Sequence, residues 1–203
     1  MKFPPIYLAS ASPRRHEILT QMGIAHEVLR LPPAAGEDEP RLPGEHPAAY
    51  VERTAREKAA RALDYLAGHA AGRLLPPRPV LAADTTVILG GEILGKPADL
   101  DEARRMLARL SGTEHEVRTA VVVATPARLL EAVSITAVRF AELSREDIDA
   151  YCASGEPMGK AGAYGIQGLA GLFVEHIAGS HTGVVGLPVY ETGQLLRRLE
   201  RED

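Results

Sequence analysis

The sequence predicts an α/β fold with a mixed central sheet and flanking helices. Three observations carry this prediction. Strand-like apolar runs alternate with helix-like segments along the chain. A Gly90-Gly91 pair separates two apolar runs, a hairpin signal that puts antiparallel pairing into the sheet. Helix-start signals recur at Ser12-Pro13, Asp99 and Ser144.

In chain order, Ile6 to Ala9 reads as a short buried strand. Ser12 suits an N-cap and Pro13 the first helical position, so a helix is expected to Met22, with Gly23 just past its end. A second strand, Ala25 to Leu29, leads into a Pro-rich acidic loop spanning residues 32–40. Pro47 to His69, rich in Ala, Arg and Glu, reads as a long helix; Ala71-Gly72 and Pro76-Pro77-Arg78-Pro79 end it. Val80–Leu89 and Glu92–Leu94 form the hairpin. Asp99 caps a helix to Leu110, with Glu102 three residues on as its capping-box partner and Ser111-Gly112 as the stop. His115–Ala124 and Leu130–Phe140 read as two strands around Thr125-Pro126, and Ser144 opens a helix to Ala153. A glycine-rich run to Gly171, a strand from Leu172 to Ile177, a loop over 179–186 and a helix from Pro188 to Arg198 complete the chain.

The 203 residues suit one domain, or at most two lobes around one cleft. Apolar residues reach 45%, enough for a sizeable core, which excludes a disordered or rod-like chain. A net charge of −4 argues against a nucleic-acid-binding surface. No stretch approaches the ~18 apolar residues of a membrane span, and Ile6-Tyr7-Leu8-Ala9 is too short for a signal-peptide core. The single cysteine, Cys152, fits a reducing cytoplasm. Arginine outnumbers lysine 19 to 4, which singles out Lys58, Lys96 and Lys160 as lysines kept against a drift toward arginine.

Several segments have the residue types of an anion-handling site. Ser10-Ala11-Ser12-Pro13-Arg14-Arg15 ends a strand in hydroxyls and opens a helix beside two arginines, a combination that suits phosphate. An ordinary Ser-Pro helix start with a solvated Arg pair fits the same pattern. Asp84 interrupts an apolar strand, where a carboxylate needs a partner, a metal or a cleft. The hairpin register sets Thr85 opposite Lys96, which brings Lys96 toward Asp84. Lys58 lies one turn after Thr54 on a helix face, a pattern also common on solvated faces. The acids Glu37-Asp38-Glu39 offer the hard oxygens that Mg²⁺ prefers, although a solvated charge run looks the same. Glycine recurs at every third position from Gly159 to Gly171, bracketing Lys160, Tyr164 and Gln167; the last two can stack on or hydrogen-bond to a base. No P-loop, nucleophile elbow or zinc spacing is present in the sequence.

These segments together resemble the Maf, or septum-formation inhibitor, family of nucleotide pyrophosphatases. The resemblance runs through Leu8-Ala9-Ser10-Ala11-Ser12-Pro13-Arg14-Arg15, Arg56-Glu57-Lys58-Ala59, Ala83-Asp84-Thr85, Gly95-Lys96-Pro97, Lys160 to Gly168 and Val185-Gly186-Leu187-Pro188, in that order over almost the whole chain. It implies a two-lobed α/β fold akin to the inosine-triphosphate pyrophosphatases, spanning 1–203 as one domain. It also implies hydrolysis of a nucleoside triphosphate to a monophosphate and diphosphate with Mg²⁺ or Mn²⁺. Arg14, Thr85 and Gln167 match the subfamily acting on dTTP and UTP, as opposed to the one acting on 7-methyl-GTP. The implied roles are Asp84 as general base, Ser12, Arg14, Arg15, Lys58 and Lys96 on the phosphates, and Glu39 (with Glu37 as the alternative) on the metal. Gln167 offers a donor and an acceptor to the edge of uracil or thymine, and Thr85 shapes that pocket. Removal of modified nucleotides, a link to cell-division arrest and a non-catalytic regulatory role are further expectations of the resemblance, and a homodimer is the default expectation for a soluble enzyme.

Overall fold

The computed structural model describes residues 3–32, 39–70 and 75–201. Strands β1 (Ile6–Leu8), β2 (His26–Val28), β3 (Val80–Leu89), β4 (Glu92–Leu94), β5 (Glu114–Thr125), β6 (Arg128–Phe140) and β7 (Val174–Ala178) form a seven-stranded sheet. Its order is β2-β1-β3-β5-β6-β7, with β4 paired to β3. β1 runs parallel to β2 and β3, whereas β3–β4 and β6–β7 are antiparallel, so the sheet is mixed as predicted. The flanking helices are α1 (Pro13–Gln21), α2 (Pro47–Ala70), α3 (Leu100–Leu110), α4 (Arg145–Ala153), α5 (His181–Val185) and α6 (Val189–Arg201).

The backbone groups into two compact units. The first comprises Met1–Asp84, Ala120–Val133 and Gly186–Asp203. Its core sets one face of α2 against the sheet. Val51, Ala55, Ala59 and Ala62 recur at helical spacing and are fully buried with Tyr7, Val80, Ala82 and Val122. Small side chains on that face let the helix axis approach the strands closely. The Tyr50, Thr54, Lys58 stripe lies alongside the alanine stripe at four-residue intervals.

The second unit comprises Thr85–Thr119 and Ser134–Val185. Ala103, Met106, Leu107 and Leu110 of α3 pack with Val87, Leu94, Val138, Phe140 and Tyr151. Asp99 accepts a hydrogen bond from the Glu102 amide at 2.7 Å and so starts α3 as its sequence signal requires. Ser144 and Asp147 form a complete capping box at the start of α4.

Two stretches depart from the sequence reading. The loop expected over 179–186 contains the short helix α5, nucleated by Ser180, whose hydroxyl accepts from the Gly183 amide at 3.0 Å. The strand expected from Leu172 begins at Val174, because Leu169–Phe173 coil into a 3₁₀ turn first.

Candidate functional site

The first unit builds an acid–cation cluster from three segments. β1 delivers the chain to Ser10, and α1 then opens at Pro13. Ser12 occupies the N-cap position, but its hydroxyl makes no capping bond there. The cap is replaced by a local turn in which the Ser12 amide donates to the Ser10 hydroxyl at 3.2 Å. Arg15, one turn into α1, is buried. Its Nε donates to the Gly186 carbonyl at 2.8 Å and its Nη1 to the Ser10 hydroxyl at 3.0 Å. Burial lowers the Arg15 pKa, while the Asp84 and Glu39 carboxylates work against that shift and Arg14 reinforces it. Arg15 therefore sits within the electrostatic reach of both acids.

Asp84 stands on β3 with its side chain only 7% exposed. Lys58, from the polar stripe of α2, donates to Asp84 Oδ1 at 2.6 Å. The same ammonium pairs with Glu39 Oε1. One cation thus bridges two carboxylates, the arrangement that makes a buried acid affordable in an apolar strand. The Tyr50 hydroxyl donates to the Glu39 carbonyl at 3.2 Å. Burial, reinforced by Asp84 and Glu39, pushes its phenol up to about 12. Arg53 fastens the same segment, with Nη2 on the Pro40 carbonyl at 2.8 Å and Nε on Glu45 at 2.6 Å. Tyr50, Arg53 and Glu45 are thus the holders of Glu39 that sequence reasoning missed. Their signal is an Arg and a Tyr on the first turns of a helix that follows an acidic loop. Glu37 lies outside the described residues.

The second unit carries the remaining predicted residues. Thr85 is half-buried and donates to Thr119 Oγ1 at 3.0 Å, because Thr119 spends its own proton on the Gly183 carbonyl at 2.7 Å. That relay fixes the Thr85 rotor, and neither Thr119 nor Gly183 was legible as its partner. The hairpin ladder closes at Val87↔Leu94, so the expected Thr85–Lys96 pair lies past its last rung. The register is the expected one, with Ile88 opposite Ile93 and Leu89 opposite Glu92, but Lys96 lies beyond the ladder and is exposed, and the ammonium found on Asp84 is Lys58. β4 ends because the chain turns away at Gly95, whose carbonyl accepts from the Gly162 amide at 3.0 Å. Gly162 has φ +67, and a Cβ there would fall 2.9 Å from Val87, so glycine is required on both counts. Gln167 is exposed in the turn after Tyr164, and Lys160 is half-buried. A Cβ at Gly165 would meet Lys160 Cε at 3.0 Å and Gln167 Nε2 at 3.3 Å, so both side chains lie over that glycine. Tyr164 is held from below by His115, with Nε2 2.8 Å from the phenol oxygen.

Among the described residues no group of three His, Cys, Asp or Glu side chains converges as a metal cage. The carboxylates of Glu39 and Asp84, gathered on one ammonium, still fit a hard divalent cation. Such ions are held by one or two carboxylates together with substrate phosphates. Among the described residues no helix is long and apolar enough to cross a membrane.

Comparison with known proteins gives concordant results. A family described as Maf-like protein matches residues 5–199. A dTTP/UTP pyrophosphatase of Bordetella avium is 61% identical over 195 residues, covering 96% of this chain and 95% of that one. The dTTP/UTP pyrophosphatase of Bordetella pertussis is also 61% identical, covering 96% and 92%. That of Cupriavidus metallidurans is 54% identical, covering 95% of each chain. Among solved structures, the Ham1 protein of Staphylococcus aureus superimposes with a TM-score of 0.48 at 13% identity, covering 98% of this chain and 100% of that one.

Proposed function

The chain belongs to the Maf family, and from that membership we propose that it hydrolyses dTTP and UTP to the nucleoside monophosphate and diphosphate, acting over 1–203 as one functional domain. The carrying observation is the Glu39–Lys58–Asp84 cluster beside Arg15. It supplies a fixed carboxylate among cations, which hydrolysis of a phosphoric anhydride requires. The substrate follows from the names of the relatives, which share more than half of their residues with this chain over nearly its full length.

In the mechanism, water attacks the α-phosphorus. Asp84 takes its proton, the bond from the α-phosphorus to the bridging oxygen breaks, and diphosphate leaves. Lys58 holds the Asp84 carboxylate in place through its 2.6 Å hydrogen bond. Arg14 and the cationic groups of Arg15, Lys58 and Lys96 balance the phosphate charge, with Ser12 adding a hydroxyl at the start of α1. Arg15 has a second duty, because its bonds to Ser10 and Gly186 shape the turn before α1. A Mg²⁺ or Mn²⁺ ion would be held by Glu39 and would supply charge neutralisation to the phosphate groups. Gln167 selects the pyrimidine edge and Thr85, locked by Thr119, shapes the base pocket.

Product analysis tests the reading. The purified protein is incubated with dTTP, UTP, CTP, GTP, ATP and 7-methyl-GTP, with and without Mg²⁺ or Mn²⁺, and diphosphate is separated from orthophosphate. Metal-dependent diphosphate from dTTP and UTP is expected. Orthophosphate would mean that a different bond breaks. A folded protein that turns over no triphosphate would overturn the enzymatic reading in favour of a binding role.

A further inference from the structure

Glu156 is a polar residue whose position neither the fold nor the proposed chemistry accounts for. It follows α4, and its own amide is fixed by the Ser154 hydroxyl at 3.1 Å. Its carboxylate is enclosed by donors from the glycine-rich segment. Oε2 accepts from the Leu169 amide at 3.0 Å, and Oε1 from the Tyr151 hydroxyl at 3.1 Å and the Ala170 amide at 3.5 Å. Its backbone carbonyl accepts from Lys160 Nζ. One residue therefore grips both ends of the segment that carries Lys160 and Gln167.

The glycines confirm how tightly the segment is drawn onto this residue. A Cβ at Gly168, directly after Gln167, would lie 2.4 Å from Glu156 Oε1. Gly168 also closes the Gln167 turn by donating its amide to the Gly165 carbonyl at 2.9 Å. An acceptor-only carboxylate suits this place. Three donors converge on two oxygens, and an amide in its stead would aim N–H against N–H on one side. At the opposite end Tyr164 is anchored on His115 and packs edge-on against Phe140, with ring centroids 4.9 Å apart.

We propose that Glu156 is the positioning residue of the base-selecting segment: it holds Lys160 through its carbonyl and the Gln167 turn through its carboxylate, and so sets pyrimidine preference without touching the base. This inference rests on the reading of Gln167 as the base selector, and the test separates the two. Hydrogen exchange is measured on the Leu169 and Ala170 amides in the wild type, Glu156→Ala and Glu156→Gln, alongside steady-state kinetics with dTTP, UTP and GTP. The Ala variant should lose protection at both amides while β3 and β5 exchange as before. Its kcat/KM for dTTP and UTP should fall about tenfold, mainly through KM, and its preference over GTP should narrow. Glu156→Gln keeps one oxygen for Leu169 and should recover protection at Leu169 but not at Ala170, with a base preference between those of Glu156→Ala and the wild type. Unchanged protection in Glu156→Ala overturns the clasp, whatever the activity. Lost protection with an unchanged KM and base profile overturns the positioning role. A wild type inactive on dTTP and UTP instead removes the functional reading, while the exchange data still judge the clasp.

Discussion

Asp84 and Gln167 mark two different demands on single residues. Asp84 is enclosed and immobilised, its Oδ1 on Lys58, so its geometry is fixed before substrate arrives. Replacing it by Asn keeps size and polarity and removes the proton acceptor. Asp84→Asn should reduce turnover of dTTP by roughly 100-fold or more, with an unfolding midpoint close to wild type. Turnover within a few-fold of wild type would remove Asp84 as the base. Gln167 is exposed and contributes little to packing, so its substitution should leave the fold undisturbed. Gln167→Glu exchanges the donor arm for a second acceptor. It should lower kcat/KM for UTP and dTTP by roughly tenfold relative to other triphosphates, with stability unchanged. A substrate profile identical to wild type would show that Gln167 does not read the base.

At the scale of the element, α2 decides where Lys58 stands. Ala55, Ala59 and Ala62 are fully buried against the sheet, and any larger side chain must push the helix outward. Ala59→Leu, next to Lys58 in sequence, should cost about 1–3 kcal/mol in denaturant unfolding and also lower activity, because the ammonium moves with its helix. Loss of stability with full activity would show that Lys58 tolerates displacement. The elements themselves were legible where their determinants are local. The Asp99 and Ser144 caps, the Gly90-Gly91 turn and the Pro13 start each depend on residues within one turn of one another, and the structure places all of them, although Glu102 accepts from the Ala98 amide at 2.7 Å and so leaves the expected Asp99 box half made. What remained hidden is long-range. Lys58 meets Asp84 across 26 residues, Thr85 meets Thr119 across 34, and Arg15 meets Gly186 across 171. Spacing in the chain says nothing of such pairs, whereas the Gly90-Gly91 turn did set the observed register of β3 and β4, and only the ladder's extension to Thr85 and Lys96 was not realised. A ladder's length is set by where the backbone is recruited elsewhere, here by Gly162 on Gly95. The motifs that carry the resemblance nevertheless include Lys58 and Asp84, which the structure pairs at 2.6 Å.

For the whole molecule, acid stability is governed in part by a histidine. His115 is buried between Phe140 and Tyr164, and burial lowers its pKa from 6.5 to about 4. The folded state therefore resists a proton that the unfolded chain accepts. The neutral ring contributes fully above pH 6.5, and stability drains away as the pH falls from there toward 4. The loss over that window should be about 3 kcal/mol in the wild type. It should be clearly smaller in His115→Asn when unfolding is followed by urea titration across the same range. Equal pH slopes for the two proteins would show that His115 charges without cost.

The bond from Arg15 to Gly186 has a consequence for biosynthesis. The arginine leaves the ribosome early, and the carbonyl that receives its Nε leaves 171 residues later. Until then the guanidinium has no such acceptor, and the turn from Ser10 to Pro13 has only its local bonds to shape it. A nascent chain that stops short of residue 186 therefore lacks the acceptor that holds the Arg15 guanidinium, however much of β3 and α2 it already contains.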